Sequence, residues 1–471
     1  MTAPAPLLVV GDALLDHDVH GRVDRLAPDA PVPVVSGPRR TSRPGGAALA
    51  ACLAAADGRP VTLVTALGDD PASDTLRGLL DGRVGLVELP LTGALSSKTR
   101  VLVDGRPLLR LDDGDGRARE ATGAARRAIA EAGAVLVADY GRDTAGVLRD
   151  DLAAAAGGVP LTWDPHPRGG PPVPGVRLAT PSAAEAHALA HRATPADTRQ
   201  EPDHDLHSAA QDADRLVHVW RAASVAVTLG GRGALLSHGG TPLLVPSPVT
   251  ADGDACGAGD RFAATAAGCL ADGDLVETAV RQAVHAATRY VAEGGVRSDA
   301  VGTAPAGPRP AGREPTGDAL RTAARVRAAG GTVVAAGGCF DLLHAGHVAL
   351  LQAARRTGDC LVVCVNSDAS VRRRKGSGRP LVPEADRIRV LQALECVDAV
   401  AVFDEDTPER LLAELRPHIW AKGGDYAMTR LPEAALVESW GGQVVLFPYL
   451  DGRSTTGIAE RAALTPGRAG R

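Results

Sequence analysis

Two histidines three residues apart could perform phosphate chemistry in the C-terminal part of the chain. His344 and His347 stand in FDLLHAGH, between an apolar run that predicts a strand (TVVAAGG) and a segment that predicts a helix (VALLQAARR). The first turn of a helix attracts phosphate because its backbone N–H groups are unpaired and the helix dipole is positive there. Gly346, between the histidines, lets a nucleotide approach the backbone. The pattern therefore predicts a phosphate site.

Rare residue types cluster near this motif. The chain has three lysines and a single asparagine. Asn366 follows the next predicted strand in VNSDAS, Lys375 stands in the basic loop RRRKGSGRP, and Lys422 ends a strand in AKGGDY. A lysine retained in so arginine-rich a chain indicates a need for a compact point charge. A further predicted helix start, in DGRSTTGI, offers the hydroxyls of Ser454, Thr455 and Thr456.

A glycine-rich turn that ends in a carboxylate lies in DGDACGAGDRFAATAAGCLA. Asp260 and a helix of small residues follow directly on Gly257, Ala258 and Gly259. The N–H groups of such a turn can converge on an anion. An acid at its end can take the proton of an attacking hydroxyl while the turn holds a transferring phosphoryl group. A plain strand–helix turn would give the same letters, so the companion motifs decide between the two readings.

Three companion motifs favour the anion site. Asp12 and Asp16 follow the first predicted strand, where short carboxylates can bind sugar hydroxyls. RPGGAALAA opens a helix with Gly45 and Gly46, which allow a substrate to approach closely. The glycine turn of TLGGRGALL suits contact with a nucleotide and contains Gly230 and Gly233.

Short apolar runs alternate with alanine-rich segments, which predicts an α/β layer fold on mainly parallel sheets. A Pro/Gly-rich stretch at 301–318 predicts a linker between a first domain, 1–300, and a second, smaller one, 319–471. KTRVLVDGRPLLRLDD (98–113) predicts a lone hairpin that covers a site. The polar, acidic stretch 193–214 predicts a surface insertion.

Composition excludes several classes of protein. The formal net charge is −5 and aromatic residues make up 3% of the chain, which argues against a nucleic-acid partner. No uninterrupted stretch of 18 apolar residues predicts a membrane span, and the N-terminus does not resemble a signal peptide. Seven scattered cysteines without a CxxC pair predict reduced thiols, a cytoplasmic location and no structural metal site.

Residues 1 to about 300 resemble the ribokinase (PfkB) family of sugar kinases, on the GAGD, GG and TLGGRG segments taken together. The resemblance implies a ribokinase-like three-layer domain with a β-hairpin lid, and ATP with Mg²⁺ as phosphoryl donor. Within this family, the chain most resembles the heptose 7-phosphate kinases, because it has the hairpin and the segment RLAPDAPVPVV (25–35). It also implies a homodimer that forms through the lid.

The resemblance assigns a role to each motif residue. Asp260 is implied to be the base, with the anion hole at Gly257, Ala258 and Gly259. Glu185, in TPSAAE, is implied to organise Mg²⁺ and phosphate, and the 230–233 turn to bind the nucleotide. The implied contacts to the sugar phosphate are Asp12, Asp16, Gly45, Gly46, Lys98 and Arg100.

Three positions depart from the residues usual in that family. Leu49 and Ser182 stand where asparagine is usual, and Cys256 stands where threonine is usual. A leucine cannot bond a sugar hydroxyl, and a missing hydrogen bond costs about 1–3 kcal/mol. Two hypotheses therefore stay open for the first domain: an active heptose kinase, or a weakened or retuned kinase that serves as a sensor or dimer module.

Residues 332–458 resemble the HxGH nucleotidyltransferases, in particular the sugar-1-phosphate adenylyltransferase half of bifunctional heptose enzymes. The resemblance implies a Rossmann-like domain in which His344, His347 and Lys422 stabilise the reacting α-phosphate. Gly337 stands where asparagine is usual, and use of CTP instead of ATP stays an alternative. The other implied nucleotide contacts are Phe340, Asn366, Asp368, Lys375, Arg387, Ser454 and Thr455.

Together the two resemblances imply consecutive steps of one synthesis. The first domain would phosphorylate heptose 7-phosphate at C1, and the second would convert heptose 1-phosphate and ATP to ADP-heptose and pyrophosphate. A separate phosphatase would have to remove the 7-phosphate between the two steps.

Overall fold

The computed structural model describes residues 4–103, 106–193, 205–249, 251, 253–295, 319–424 and 431–448. These residues form two compact units. Unit 1 comprises Met1–His204, Gln211–Gly239 and Ser247–Val301, and unit 2 comprises Asp205–Ala210, Gly240–Pro246 and Gly302–Arg471. The linker expected at 301–318 lies outside the described residues.

Unit 1 is built on a mainly parallel sheet. Its strands are β1 (Leu7–Gly11), β4 (Val61–Leu67), β5 (Gly85–Thr92), β8 (Arg117–Ala118), β9 (Val135–Ala138), β10 (Leu161–Asp164), β11 (Leu178–Ala179), β12 (Val225–Thr228) and β13 (Ala234–Ser237). Their spatial order in the sheet is β13-β12-β11-β10-β9-β1-β4-β5-β8. Strands β8 and β13, at the two ends, run antiparallel to their neighbours.

Helices cover both faces of this sheet. Along β1, Leu7 and Val9 pack into one apolar cluster whereas Leu8 and Val10 pack into another. A strand buried on both faces reads as a continuous apolar run, which is why the sequence revealed it. The helices are α1 (Ala47–Ala56), α2 (Pro71–Leu80), α3 (Gly123–Ala130), α4 (Thr144–Val147), α5 (Arg149–Ala156), α6 (Ala183–Ala193), α7 (Leu206–Trp220), α8 (Ala258–Ala271) and α9 (Val276–Ala292).

The lid is a four-stranded sheet, so the expectation of a lone hairpin was wrong. Its order is β3-β2-β6-β7. The hairpin of β6 (Ser97–Val103) and β7 (Arg106–Asp113) pairs through β6 with β2 (Ala13–Leu26), which pairs in turn with β3 (Pro33–Gly46). Beyond Leu15, β2 is largely polar and only its first part is buried. It therefore lacks the period-2 pattern of a half-buried strand.

The expected surface insertion at 193–214 was also wrong in its second half. Residues from Leu206 onward belong to α7, and Leu206, Ala209 and Ala213 are buried. Residues 194–204 lie outside the described part of the chain.

Unit 2 has a parallel sheet in the order β17-β16-β15-β18-β19, which is 3-2-1-4-5 in chain order and confirms the Rossmann-like expectation. A short strand, β14 (Leu243–Val245), pairs with β19. The remaining elements are α10 (Ala319–Ala328), β15 (Val333–Gly338), α11 (Ala345–Arg355), β16 (Cys360–Asn366), α12 (Asp368–Lys375), α13 (Glu384–Gln392), β17 (Ala399–Phe403), α14 (Glu409–Leu415), β18 (Ile419–Gly423), α15 (Ala434–Glu438) and β19 (Gln443–Phe447).

No helix among the described residues has both the length and the apolar character needed to cross a membrane.

Candidate active sites

Asp260 occupies the first turn of α8, at the end of the glycine turn. The turn depends on Gly257, whose φ of 80° lies in the left-handed region that favours glycine. The Asp260 side chain is buried, with 8% of the residue exposed. Burial raises the pKa of its carboxyl to about 7. A carboxylate with a pKa near the working pH is suited to accept a proton in the reaction.

Tyr140, which the sequence analysis missed, contacts this carboxylate. Its hydroxyl donates a 2.6 Å hydrogen bond to Oδ1 of Asp260. Burial and the nearby Asp260 raise the pKa of Tyr140 well above its usual value, so the phenol keeps its proton. The available signal was the position of Tyr140 directly after the predicted strand AVLVAD, at the sheet edge where parallel strands end.

Asp12, which was expected to contact the sugar, is hydrogen-bonded to the protein backbone. Its two carboxylate oxygens accept hydrogen bonds from the backbone N–H groups of Tyr140, Arg142 and Thr144, at 2.8–3.1 Å. Asp12 therefore orders the turn that carries Tyr140. This placement indicates a positioning residue, since three N–H donors already occupy the carboxylate.

Asp16 is the carboxylate that remains available. It is buried, and its Oδ1 has no hydrogen-bond partner among the described residues. Its Oδ2 lies 3.6 Å from Arg43 and 3.9 Å from Arg100. Burial raises the pKa of Asp16, and the cations of Arg43 and Lys98 oppose that shift. A free, buried acceptor beside these cations is suited to bind a sugar hydroxyl.

Gly45 makes room for the Asp16 carboxylate, and Gly46 makes room for the Asp12 backbone carbonyl. A Cβ at Gly45 would lie 2.9 Å from Cγ of Asp16, and one at Gly46 would lie 2.6 Å from the carbonyl oxygen of Asp12. From the sequence, we expected the missing side chains at these two positions to make room for the substrate. The described contacts are with the protein itself.

Lys98 lines a cavity of about 400 Å³ beside the base. Its Nζ lies 5.5 Å from the centre of the Tyr140 ring, and burial lowers the pKa of its ammonium group. Arg142 and Arg168, which the sequence analysis missed, also line this cavity. Asp112, Asp113 and Asp115 line the same cavity, so its lining offers donors for a phosphate and acceptors for hydroxyl groups, both of which a sugar phosphate needs.

Arg100 lies at the glycine turn. Its guanidinium donates a hydrogen bond to Sγ of Cys256, and its Nη1 lies 3.7 Å from Asp254. The Cys256 backbone N–H donates to Asp254 Oδ1 at 3.0 Å. Cys256, one of the three departures from the family's usual residues, therefore has a protein partner in Arg100.

Leu49 packs against the glycine turn. Its Cδ2 lies 2.9 Å from the position a Cβ would take at Gly257, and the hydroxyl of Tyr290 lies 2.7 Å from the same position. That buried hydroxyl has no hydrogen-bond partner among the described residues. An unpaired polar group thus stands beside the leucine that replaces the usual asparagine.

Ser182, the third departure, caps helix α6. Its hydroxyl donates to Oε2 of Glu185 at 2.7 Å and accepts from the Glu185 N–H at 3.3 Å, while the Ser182 N–H donates to the same carboxylate at 2.9 Å. This reciprocal arrangement is a capping box. Serine here stabilises the start of the helix that carries Glu185.

Asp164, also missed by the sequence analysis, is half-buried at the end of β10. Burial, followed by the nearby charges of Glu185 and Asp260, raises the pKa of Asp164 well above its usual value. A carboxylate whose pKa is raised by a neighbouring carboxylate is a ligand that a hard divalent cation stabilises. Asp164 and Glu185 therefore fit the metal ion that accompanies ATP.

The expected nucleotide turn follows β12. Gly230, with a φ of 59°, begins a single 3₁₀ turn, and Gly233, with a φ of 99°, follows the turn directly. Space near Gly230 is open, because no atom lies within 4 Å of the position its Cβ would take.

In unit 2 the two histidines stand at the start of α11, as expected. Nδ1 of His344 accepts from the Gly346 N–H at 3.1 Å and caps the helix. The ring centres of His344 and His347 are 4.0 Å apart, and Phe340 lies 5.3 Å from His347. Burial, then the neighbouring His344 and Lys375, lower the pKa of His347 to about 4. Its ring is therefore neutral at pH 7.

A second cavity, of about 250 Å³, is lined by three of the residues expected to bind a nucleotide in unit 2, namely Asn366, Lys375 and Lys422. Nζ of Lys422 lies 3.2 Å from Oε1 of Glu433, and Nζ of Lys375 lies 3.0 Å from Sγ of Cys339. The Asn366 amide is buried and donates to the Ser370 hydroxyl at 2.9 Å. The lining residues include Gly337, Gly338, Asn366, Arg374, Lys375 and Lys422. The cavity adjoins the ends of β15 and β18, where the strand order reverses and ligands bind in such sheets.

Arg387 has a different environment from the phosphate contact that was expected. Its side chain is fully buried and donates to the carbonyl oxygens of Cys339 and Asn366, at 2.6 and 2.9 Å. It also donates to Oδ1 of Asp368 at 2.7 Å. With its donors directed at protein acceptors, Arg387 holds together the loops that follow β15 and β16.

Asp341, in the histidine motif, holds the basic loop. The fully buried carboxylate accepts from the N–H groups of Leu381 and Val382, and from Arg379 at 2.6 Å. The sequence analysis did not single it out. The expected contacts at Ser454 and Thr455 lie outside the described residues.

Two family profiles match this chain. The profile of the pfkB family of carbohydrate kinases matches residues 5–302, and a cytidylyltransferase-like profile matches residues 335–450. The chain is 64% identical to the bifunctional protein HldE of Streptomyces coelicolor, over 98% of this chain and 97% of that protein. The chain belongs to the HldE family of bifunctional proteins. HldE of Pelobacter propionicus is 37% identical, over 97% of this chain and 96% of that protein.

The HldE relationship makes this chain a bifunctional carbohydrate kinase and nucleotidyltransferase that uses ATP and sugar phosphates. It favours two active halves over a degenerate kinase domain. Among solved structures, the chain is similar to Arabidopsis thaliana ribokinase complexed with ribose and ATP. The TM-score is 0.47 at 22% identity, over 63% of this chain and 96% of that chain.

Proposed function

We propose that unit 1 transfers the γ-phosphoryl group of ATP to the C1 hydroxyl of D-glycero-β-D-manno-heptose 7-phosphate. Unit 2 then joins D-glycero-β-D-manno-heptose 1-phosphate to the adenylyl group of a second ATP and releases pyrophosphate. The observation that carries the kinase half is Asp260, a buried carboxylate with a pKa of about 7 at the end of a glycine turn.

The kinase step follows from this geometry. Asp260 takes the proton of the C1 hydroxyl while that oxygen bonds to the γ-phosphorus, and the bond from the γ-phosphorus to ADP breaks. The N–H groups of Gly257 and Gly259 would hold the phosphoryl oxygens at the positive end of α8, whereas the Ala258 N–H, also expected in the anion hole, donates to the Ala255 carbonyl oxygen at 3.1 Å. The Tyr140 hydroxyl fixes the carboxylate, and its hydrogen bond lowers the pKa that burial raises.

The 7-phosphate of the substrate is proposed to occupy the 400 Å³ cavity. Lys98, Arg142 and Arg168 line it and would pair with the phosphate dianion, whereas Asp112, Asp113 and Asp115 of the same lining would accept from sugar hydroxyls. Asp16, with one unpaired carboxylate oxygen, binds a sugar hydroxyl. With the 7-phosphate in the cavity and a hydroxyl on Asp16, the C1 hydroxyl of the sugar would face Asp260.

Mg²⁺ bound with ATP supplies positive charge to the phosphates, and Asp164 and Glu185 would hold it. The raised pKa of Asp164, caused by burial and then by Glu185, supports this assignment because a divalent cation would remove the repulsion between the carboxylates. Ser182 contributes by capping the helix on which Glu185 stands.

The hydroxyl of Tyr290 is proposed to replace a hydrogen bond that Leu49 cannot make. It is buried, unpaired among the described residues, and adjacent to Gly257. A hydroxyl so placed can donate to the sugar or to the transferring phosphoryl group. This would explain how the kinase half works without the usual asparagine.

In unit 2 a phosphate oxygen of the sugar 1-phosphate attacks the α-phosphorus of ATP, and the bond to pyrophosphate breaks. No covalent enzyme intermediate is needed, so positioning and charge do the work. We propose that His344 and His347, at the start of α11, act on the same phosphates as Lys375 and Lys422, which line the cavity. Arg387 and Asp341 hold the loops that carry these groups.

We also propose that the chain forms a homodimer through the lid and works in the cytoplasm. The outer part of the lid exposes large apolar side chains, as interfaces between subunits do. They are Leu26, Val32, Leu108, Leu109 and Leu111.

The proposed function is tested by ³¹P NMR of the full chain with heptose 7-phosphate, Mg²⁺ and ATP, without a phosphatase. We expect a new signal for the 1,7-bisphosphate. In a separate sample, heptose 1-phosphate and ATP should give ADP-heptose and pyrophosphate, whereas CTP should not react. A silent first sample with an active second one would leave only the nucleotidyltransferase half.

A further inference from the structure

Three metal-binding side chains meet where helices α6 and α7 pack. His187 and His191 stand on α6 and Asp212 stands on α7, and one ligand atom from each lies within 4.8 Å of the other two. Nδ1 of His187 is 3.1 Å from Oδ2 of Asp212. The two imidazole rings are 4.2 Å apart at an angle of 62°. We propose that these three side chains bind one Zn²⁺ ion.

The helices fix the positions of these ligands. Residues four apart lie on the same face of a helix, so His187 and His191 point the same way, one turn apart. Their neighbours Ala186, Leu189 and Ala190 are buried and anchor α6 to the core of unit 1. On α7, Asp212 has buried Ala213 beside it, and Ala209 lies one turn earlier. Core packing, independent of any metal, thus brings the three ligands together.

The charge balance at this place favours a cation. Asp212 is only 7% exposed, and within the described part of the chain its ion-pair partner is His187, with no lysine or arginine in contact. A buried carboxylate needs a positive partner, and a neutral imidazole provides a hydrogen bond but no charge. A divalent ion bound by all three groups would supply that charge.

The donor set selects the metal. Two imidazoles and one carboxylate are typical zinc ligands, whereas Mg²⁺ prefers oxygen ligands and keeps its water. The proposed zinc ion would therefore not compete with the Mg²⁺ of the kinase reaction. Three protein ligands leave the fourth coordination position to water.

The site would stabilise the fold without taking part in the kinase reaction. Successive helix positions are separated by about 100°, so His187 faces away from Glu185, two residues earlier on α6. Zinc would link α6 to α7 on the side opposite the proposed phosphate groups. We therefore expect zinc to raise the thermal stability of unit 1 and to leave kcat of the kinase unchanged.

The test uses the full chain, treated with a chelator and titrated with Zn²⁺ and then, separately, with Co²⁺. We expect one tight zinc equivalent that persists when His344 and His347 are both replaced by asparagine, because those histidines are the other close pair. The Co²⁺ spectrum should show d–d bands without a thiolate charge-transfer band, since the site contains no cysteine. Zinc should also raise the thermal midpoint.

Two variants and one control decide the assignment. His191→Ala and Asp212→Asn should each weaken zinc binding at least tenfold and abolish the zinc-dependent rise in thermal midpoint. His218→Ala, on the exposed side of α7 with 65% of its side chain accessible, should bind zinc like the unchanged chain. If neither substitution weakens zinc binding, the proposal is wrong. A thiolate band in the Co²⁺ spectrum would also overturn it. Because Asp212→Asn keeps the shape of the side chain, we expect this variant to fold. A loss of zinc binding in it would therefore report the loss of a ligand and not unfolding.

Discussion

The hydroxyl of Tyr140 donates a 2.6 Å hydrogen bond to the carboxylate of Asp260. The two residues are 120 positions apart in the chain, and β9 and the glycine turn before α8 bring them together. This bond opposes the effect of burial on the carboxylate, which has a pKa of about 7. In the proposed kinase mechanism, the pH at which the base works therefore depends on a phenol.

Tyr140→Phe should move the pH profile of the kinase. Without the hydroxyl, the pKa of Asp260 should rise, so less of the base is deprotonated at pH 7. We expect kcat/KM to fall about three- to tenfold at pH 7 and to recover above pH 8. The measurement is ADP release as a function of pH, with pyrophosphate release by unit 2 as the internal control. An unchanged midpoint would show that the hydrogen bond does not tune the base.

Lys98→Met should weaken binding of the substrate's phosphate. Methionine keeps the length of the side chain and removes its charge, so the 400 Å³ cavity loses one of its three cations. We expect KM for heptose 7-phosphate to rise about 10- to 100-fold, since a charged hydrogen bond contributes about 1.5–3 kcal/mol. Steady-state kinetics with ATP at saturation measures it. Arg106→Met, at an exposed position of the same hairpin, is the matched control.

Tyr290→Phe should reduce the kinase activity if its hydroxyl replaces the bond that Leu49 cannot make. We expect kcat/KM to fall about three- to tenfold, as for the loss of one neutral hydrogen bond. Adding Leu49→Asn to this variant should restore part of the loss. If the single variant has unchanged kinetics, the hydroxyl does not contact the reacting groups.

Arg387→Gln should destabilise unit 2. The fully buried guanidinium bonds two carbonyl oxygens and Asp368, and its removal leaves these acceptors without partners. We expect the free energy of opening to fall by about 3–5 kcal/mol, measured by hydrogen exchange at amides of β15 and β16. Arg389→Gln, exposed on the same helix, should change it by less than about 0.5 kcal/mol. A rise in KM for ATP without loss of protection would instead support a direct phosphate contact.

His347 should make the stability of unit 2 depend on pH. Its pKa is about 4 in the folded protein, lowered mainly by burial, whereas an unfolded histidine has a pKa near 6.5. The unfolded chain therefore binds a proton first as the pH falls, and stability is lost between about pH 6.5 and 4. Opening free energies from hydrogen exchange at several pH values should show this loss, and His347→Gln should reduce it. Equal slopes for both proteins would contradict the lowered pKa.

The motifs at strand ends could be predicted from the sequence because their chemistry is local. GAGD and HAGH each combine a helix start with the side chains that act there, so a few adjacent residues specify an anion site. The buried strands could be predicted too, since both of their faces are apolar. The lid strands β2 and β3 could not be predicted, because little of their length packs against the core. Their sequences therefore lack the alternation of apolar and polar residues that indicates a strand.

The partners of these motif residues were decided by the tertiary structure. No local motif marks four residues of the kinase site, which are Tyr140, Asp164, Arg142 and Arg168. They come together only because parallel strands end at one edge of the sheet. Asp12 and Arg387 stand in the expected motifs, yet burial directs their polar atoms toward the protein. His187, His191 and Asp212 meet because core packing aligns two helices, which no local pattern records. Local sequence determines which chemistry is available, and long-range packing determines which groups are close enough to share it.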